Sequence, residues 1–147
     1  YDHFLATVKG AMAGKDIDGD GKKDRLIPSG ILWMQGESDA NNVYATSIYK
    51  ENLAMLIDSI RSVFSAPDMP VVIGRISDSR NDADSLVWTW GEALREAQAQ
   101  YVAEDGNAVL VTSTDNYGYS DPWHYDSEGY IDLGRKFAGA IAAARQR

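Results

Sequence analysis

The 147-residue sequence contains no cysteine. That absence excludes disulfides, thiolate nucleophiles and cysteine-held zinc. Histidine is nearly as scarce: His3 and His124 are the only two, too few for a polyhistidine metal centre. Basic charge is also short. Against 22 Asp and Glu stand 14 Lys and Arg, a net charge of −8. So acidic a surface repels phosphate backbones, and no nucleic-acid partner is expected. No stretch approaches the ~18 consecutive apolar residues of a membrane-spanning helix, so no membrane partner is expected either. The first residue is Tyr1 rather than Met, with no signal-like apolar run behind it, as in a piece of a longer chain. What is present is the composition of one globular domain, 44% hydrophobic and 24% charged.

Apolar runs alternate with amphipathic segments, without internal repeats or low-complexity tracts. Residues 2–13 place Phe4, Leu5, Val8 and Met12 on one helical stripe. Residues 16–25 form a loop rich in Asp, Gly and Lys. Gly30-Ile31-Leu32-Trp33-Met34 reads as a strand buried on both faces. Asn41 or Asn42 caps a long helix with Tyr49, Leu53, Leu56, Ile60 and Val63 inward, ended by Pro67 and Pro70. Residues 70–76 make a second buried strand, and the polar loop 77–84 leads to a helix with Leu86, Trp90, Ala93, Leu94, Ala97 and Tyr101 on one side. Residues 108–112 are a third strand. The last helix turns Tyr130, Leu133, Phe137 and Ile141 inward and sets Arg145 and Arg147 against the negative end of its dipole. Uniformly apolar strands separated by helices imply an α/β fold with a parallel sheet covered on both faces. Right-handed crossovers then bring the loops that follow the strands to one edge. Three strands make a narrow sheet, so further strands are expected upstream of Tyr1. Residues 1–147 are read as a single, partial domain with an insertion at 16–27.

Two loops on that edge carry reactive groups. Asp121-Pro122-Trp123-His124 sets a carboxylate three residues before an imidazole, in a turn tightened by proline. A general-base histidine needs one ring nitrogen free and its other N–H held by a carboxylate. A surface turn in which Asp121 caps backbone N–H groups has the same sequence. The second loop, Trp33-Met34-Gln35-Gly36-Glu37-Ser38-Asp39, packs an amide, a glycine, carboxylates and a hydroxyl into the bend after the first strand. Gln35 can aim an amide N–H as an oxyanion donor, and Gly36 permits a sharp turn. Glu37, Ser38 and Asp39 can instead satisfy local N–H groups. Gly36-Glu37-Ser38-Asp39-Ala40 also resembles the G-x-S-x-G elbow of α/β-hydrolases, with Ala40 replacing the last glycine, which would make Ser38 a nucleophile. Among candidate sugar-stacking rings, Trp90 matches the core stripe, Trp88 stays open, and Trp123 is best placed to wall a pocket. Arg75, Ser77 and Asp78 follow the second strand as candidate substrate contacts.

Together, Trp33-Met34-Gln35-Gly36-Glu37-Ser38-Asp39 and the later Asp121-Pro122-Trp123-His124 resemble the sialate O-acetylesterase and family 6 carbohydrate esterase group of SGNH (GDSL-like) hydrolases. The resemblance runs from about residue 27 to the C-terminus. It implies a flavodoxin-like three-layer α/β/α fold and removal of acetyl groups from an acetylated carbohydrate, without a catalytic cofactor. By carry-over, His124 is the base and Asp121 its acidic partner. Gln35 lies near the oxyanion with Gly36 in support, and Glu37 either orients the histidine or braces the loop. Trp123 and Arg75 would touch substrate. The family's nucleophilic serine sits in a G-Q-S-N block near the domain's N-terminus, and no such block occurs here. The nucleophile is therefore expected on a missing N-terminal segment of the same domain, and this chain alone is expected to be inactive.

A third motif lies in Asp16-Ile17-Asp18-Gly19-Asp20-Gly21-Lys22-Lys23-Asp24. Oxygen ligands at relative positions 1, 3, 5 and 9, with glycine at 6, follow an EF-hand-type calcium loop; Lys22 at position 7 would offer only its backbone carbonyl. Ile27 stands where the bidentate Glu belongs, so a structural calcium of modest affinity is expected. An Asp/Gly turn balanced by Lys15, Lys22, Lys23 and Arg25 is the plain alternative. A calcium-dependent carbohydrate-binding module without hydrolysis is a second reading of the whole, and an α/β-hydrolase using Ser38 a third. The acidic surface and the calcium-like loop point to an extracellular or periplasmic setting.

Overall fold

The most deeply buried strand forms the middle of the sheet. The computed structural model describes residues 2–80 and 85–146; Tyr1, Arg147 and residues 81–84 of the polar loop lie outside them. Strands β1 (Ile31–Trp33), β2 (Val71–Gly74) and β3 (Ala108–Val111) alternate with helices α1 (Asp2–Met12), α2 (Val43–Ser47), α3 (Tyr49–Val63), α4 (Gly91–Glu104) and α5 (Ser127–Ala144). The sheet order is β1-β2-β3 and both pairings are parallel, with Ile31 opposite Val71 and Val71 opposite Ala108. Alternate residues of a strand face opposite sides. Val71 and Ile73 pack against Tyr49, Leu53 and Ile57 of α3 and Leu94 and Tyr101 of α4. Val72 packs on the other side against Leu133 and Phe137 of α5. The architecture is the three-layer α/β/α one expected, and no helix among the described residues is long and apolar enough to cross a membrane.

Departures from the sequence reading follow from what each element has beside it. β1 is not buried on both faces; it is an edge strand, and Leu32 is 53% exposed. No residue of α1 is buried. Its stripe (Phe4, Val8, Met12) instead lines an open apolar groove of about 690 Å³, shared with Leu32, Ile60 and Phe64. The single long helix is two: Asn42 caps α2 by accepting from the Ala45 N–H, and the chain breaks at Ile48 before α3. Ile57, rather than Val63, then sits at the centre of the core. α4 begins at Gly91, so Trp90 precedes its periodicity and is exposed, whereas Trp88 is buried. Tyr130 is exposed too, although its ring meets that of Tyr125 edge-on at 5.6 Å.

A buried ion pair ties the end of α3 to the turn before β3. Arg61 donates from Nη1 and Nη2 to the two oxygens of Asp105 (2.6 and 3.1 Å) and from Nε to the Met69 carbonyl (3.0 Å). Tyr101 also donates to Asp105, at 2.7 Å. Burial alone would raise the Asp105 carboxyl, but the hydrogen bonds from Arg61, Tyr101 and the Asn107 N–H outweigh it and hold the group below its usual range. Asp105→Asn leaves the guanidinium buried without its counter-charge and is expected to cost about 3 kcal/mol at neutral pH, read by urea denaturation. The folded value lies below the unfolded one of about 3.9, so this contribution is complete above about pH 4 and is lost as pH falls through the folded value. The gap between wild type and variant should close on acidification; a gap independent of pH would contradict the assignment.

Candidate active site

The loop after β1 is fixed by its backbone, which leaves its side chains to face outward. Gln98 of α4 is fully buried, and its Nε2 donates to the Gln35 carbonyl at 3.1 Å while its Oε1 accepts from the Ile76 N–H at 3.1 Å. Tyr49 OH donates to the same Gln35 carbonyl at 2.9 Å. Gly36 turns with φ +144, and a Cβ there would meet Leu94 Cδ2 at 2.6 Å, so only glycine fits this approach to α4. Trp90 N–H donates to the Ala40 carbonyl at 2.7 Å and pins the far end of the loop. The Gln35 side chain gives one amide N–H to Asp39 at 2.6 Å, leaving the second uncommitted. Glu37 is half-buried and makes no hydrogen bond or ion pair among the described residues. Ser38, exposed ahead of the 3-10 turn Asp39–Asn41, has no hydrogen bond to His124.

The second loop realises both roles that its sequence left open. Asp121 Oδ1 accepts the backbone N–H groups of Trp123 and His124, each at 2.8 Å. Its Oδ2 lies 2.7 Å from His124 Nδ1. The hydrogen bond with His124, followed by that from the Trp123 N–H, holds the Asp121 carboxyl below its usual range. An ionised carboxylate only accepts, so hydrogen-bonding logic assigns the ring proton to Nδ1 and leaves Nε2 as an acceptor. Behind the turn, Tyr119 and Tyr125 form an antiparallel bridge and the Ser120 N–H donates to the His124 carbonyl at 2.9 Å. Asp126 then caps α5 by accepting from the Gly129 N–H at 2.8 Å.

Burial first, with the charges of Tyr119 and Glu37 adding to it, pushes the Tyr125 hydroxyl above its ordinary value. Trp123 is 59% exposed beside the pair. Arg75 is less free than expected: its guanidinium pairs with Asp115, which also accepts from Arg95 at 3.0 Å. Ser77 and Asp78 line a cavity of about 270 Å³ with Arg80, Leu86 and Trp88. Ser77 is buried, and the Asp78 carboxylate accepts the N–H groups of Arg80, Val87 and Trp88.

In the acidic loop, oxygens of Asp16, Asp18 and Asp24 come within 4.8 Å of one another. Asp20 turns instead to the ammonium of Lys22, 3.2 Å away. Asp16 accepts from the Gly19 and Gly21 N–H groups at 2.7 and 2.8 Å, and both glycines have φ +82. Sequence reasoning missed Gln98 and Tyr49. The one available signal was a polar residue four positions after Leu94 on an otherwise buried stripe.

The chain is 26% identical over 110 residues to an Arabidopsis thaliana protein named as a probable carbohydrate esterase, an alignment covering 75% of this chain and 38% of that protein. The X-ray structure of the Arabidopsis protein matches with TM-score 0.66 and 26% identity, over 78% of this chain and 44% of the other. A carbohydrate acetylesterase from Xanthomonas citri has the same fold, with TM-score 0.61 and 20% identity over 80% of this chain and 26% of that one. The matched stretch therefore spans less than half the length of each of these proteins. The profile of one family, carbohydrate esterase, sialic acid-specific acetylesterase, covers residues 1–143, and the chain belongs to that family.

Proposed function

We propose that this chain supplies the base, the acid and part of the oxyanion site of a carbohydrate acetylesterase with a Ser-His-Asp mechanism, the serine lying upstream of Tyr1. The observation that carries the reading is the 2.7 Å contact between Asp121 and His124, in a turn whose other carboxylate oxygen is held by two backbone N–H groups. A carboxylate so tethered fixes the imidazole tautomer and stabilises the imidazolium that forms. The serine oxygen attacks the acetyl carbonyl as His124 Nε2 takes its proton. The imidazolium returns that proton to the departing sugar hydroxyl, and water repeats the sequence to release acetate. Gln35 keeps one amide N–H for the developing oxyanion, and Gly36 lets the loop approach it. Glu37 either orients the histidine or braces this loop, Trp123 walls the sugar site, and Arg75 offers it the N–H groups that Asp115 does not take. The unpaired edge of β1 and the apolar groove beside it favour a further strand of the same domain docking there.

In a chain that includes the upstream segment, His124→Ala is expected to lower kcat for an aryl acetate by about 10⁴, and Asp121→Asn by a comparable factor. Glu37→Gln should cost less than about tenfold if it only braces the loop. Turnover surviving His124→Ala would end the proposal. The chain alone should not turn over p-nitrophenyl acetate, and fluorophosphonate labelling of Ser38 would favour the α/β-hydrolase reading instead.

As a separate part of the same reading, we propose that residues 16–27 hold a structural calcium ion. The support is a donor set of hard carboxylate oxygens from Asp16, Asp18 and Asp24; Asp20, once released from the Lys22 ammonium, and the Lys22 carbonyl would complete the set. The role would be to tie α1 to the strand that precedes Gln35, in an extracellular or periplasmic setting where the ion is abundant. Calorimetry should give a Kd on the order of 0.1–1 mM, abolished in Asp16→Asn with Asp24→Asn. No heat of binding at 10-fold higher calcium, itself about 10 mM, would count against it.

A further inference from the structure

The side chains of His124 and Asp121 are 63% and 41% exposed. A pair that open to water contributes little toward its own placement. Beneath it lies Ser77, 6% exposed, where the chain leaves β2. Its Oγ has three partners: the Thr114 carbonyl at 2.9 Å, Tyr119 OH at 2.6 Å and Tyr125 OH at 2.9 Å. Counting protons fixes every direction. A carbonyl only accepts, so the single Ser77 proton goes to Thr114. Both tyrosine hydroxyls must then donate, filling the two lone pairs of Ser77 Oγ. Those tyrosines are the bridged pair that flanks the histidine turn. Two residues on, Ser79 Oγ donates to the Pro122 carbonyl at 2.9 Å, at the tip of the same turn. The segment is itself tied down: Trp88 Nε1 donates to the Ser77 carbonyl at 3.2 Å, and the Asp78 carboxylate accepts the N–H groups of Arg80, Val87 and Trp88.

We propose that Ser77 is the positioning residue of the histidine loop, a buried hydroxyl that accepts from Tyr119 and Tyr125 and so sets the register in which Asp121 meets His124. It touches no reacting atom. Its consequence for turnover rests on the acetylesterase reading; its consequence for the imidazole does not.

Two-bond ¹H–¹⁵N spectra report the imidazole tautomers directly, and exposed His3 serves as the internal reference. The wild-type chain should show His124 as the Nδ1–H tautomer. Ser77→Ala strands two tyrosine donors and the Thr114 carbonyl, and should move His124 toward the Nε2–H tautomer while His3 stays unchanged. Tyr119→Phe removes one donor from a half-buried site and should shift His124 in the same direction by less. It decides the matter if Ser77→Ala does not fold. A folded variant of either kind with His124 signals superimposable on wild type overturns the proposal. In the longer chain, Ser77→Ala should lower kcat about tenfold or more with KM within about twofold; an effect on KM alone would overturn it. A tautomer shift in a protein that hydrolyses no acetyl ester would refute the esterase reading and leave the role of Ser77 standing.

Discussion

Gln98 joins the ends of two strands from inside the core. An unpaired amide buried there would cost several kcal/mol, on the order of 2–7. Gln98 avoids that penalty because Ile76 N–H, the Gln35 carbonyl and, at 3.5 Å, Tyr49 OH take up its polar atoms. The β1–β2 ladder stops at Trp33 and Ile73, so past that point the two chains would be free to splay. The glutamine extends their pairing beyond the sheet. It replaces a ladder hydrogen bond with a side chain from the covering helix. Everything the first loop presents (the Gln35 amide, the Gly36 turn and the Glu37 carboxylate) hangs from that attachment.

The histidine loop obeys the same logic with different chemistry. Its reactive pair is open to solvent, while its flanks reach a buried hydroxyl through tyrosines 119 and 125. In both loops the groups that could do chemistry are exposed or half-buried, and the groups that hold them are buried and hydrogen-bonded. Buried polar networks of this kind rigidify when fully satisfied. They also let a reactive side chain remain accessible without being loose.

What could be read from the sequence was local. β2 was legible because four consecutive buried residues leave an apolar signature that no neighbour can change. Asp121 and His124 were legible because three residues and a proline suffice to bring them together. β1 misled, since its apolar run says nothing about whether a strand lies on its other side. Trp90 misled because α4 starts at Gly91, five residues after the Leu86 with which the apolar spacing opens the helix. Gln98 and Ser77 were beyond reach for a different reason. Ser77 finds its partners 37, 42 and 48 positions away, and Gln98 holds a carbonyl 63 positions back. No periodicity encodes such contacts. The one hint was a polar residue on a stripe that otherwise goes inside.

The sheet geometry explains why the histidine loop needs so much scaffolding. Adjacent strands lie about 4.8 Å apart. Gln35 leaves the sheet at β1 and the histidine segment at β3, on opposite edges with β2 between them. On the proposed reading, a nucleophile carried by a strand docked beyond β1 would emerge about 14 Å from the end of β3, three strand spacings away. A loop departing from β3 can serve that nucleophile only by doubling back over the sheet. The observed attachments run in that direction: Tyr119, Tyr125 and Pro122 are all bound to the segment 77–79 that leaves β2, the central strand. The hydroxyl of Ser77 is thus where the loop changes course. On the proposed reading, the buried hydrogen bonds there turn His124 away from the β3 edge, toward the nucleophile.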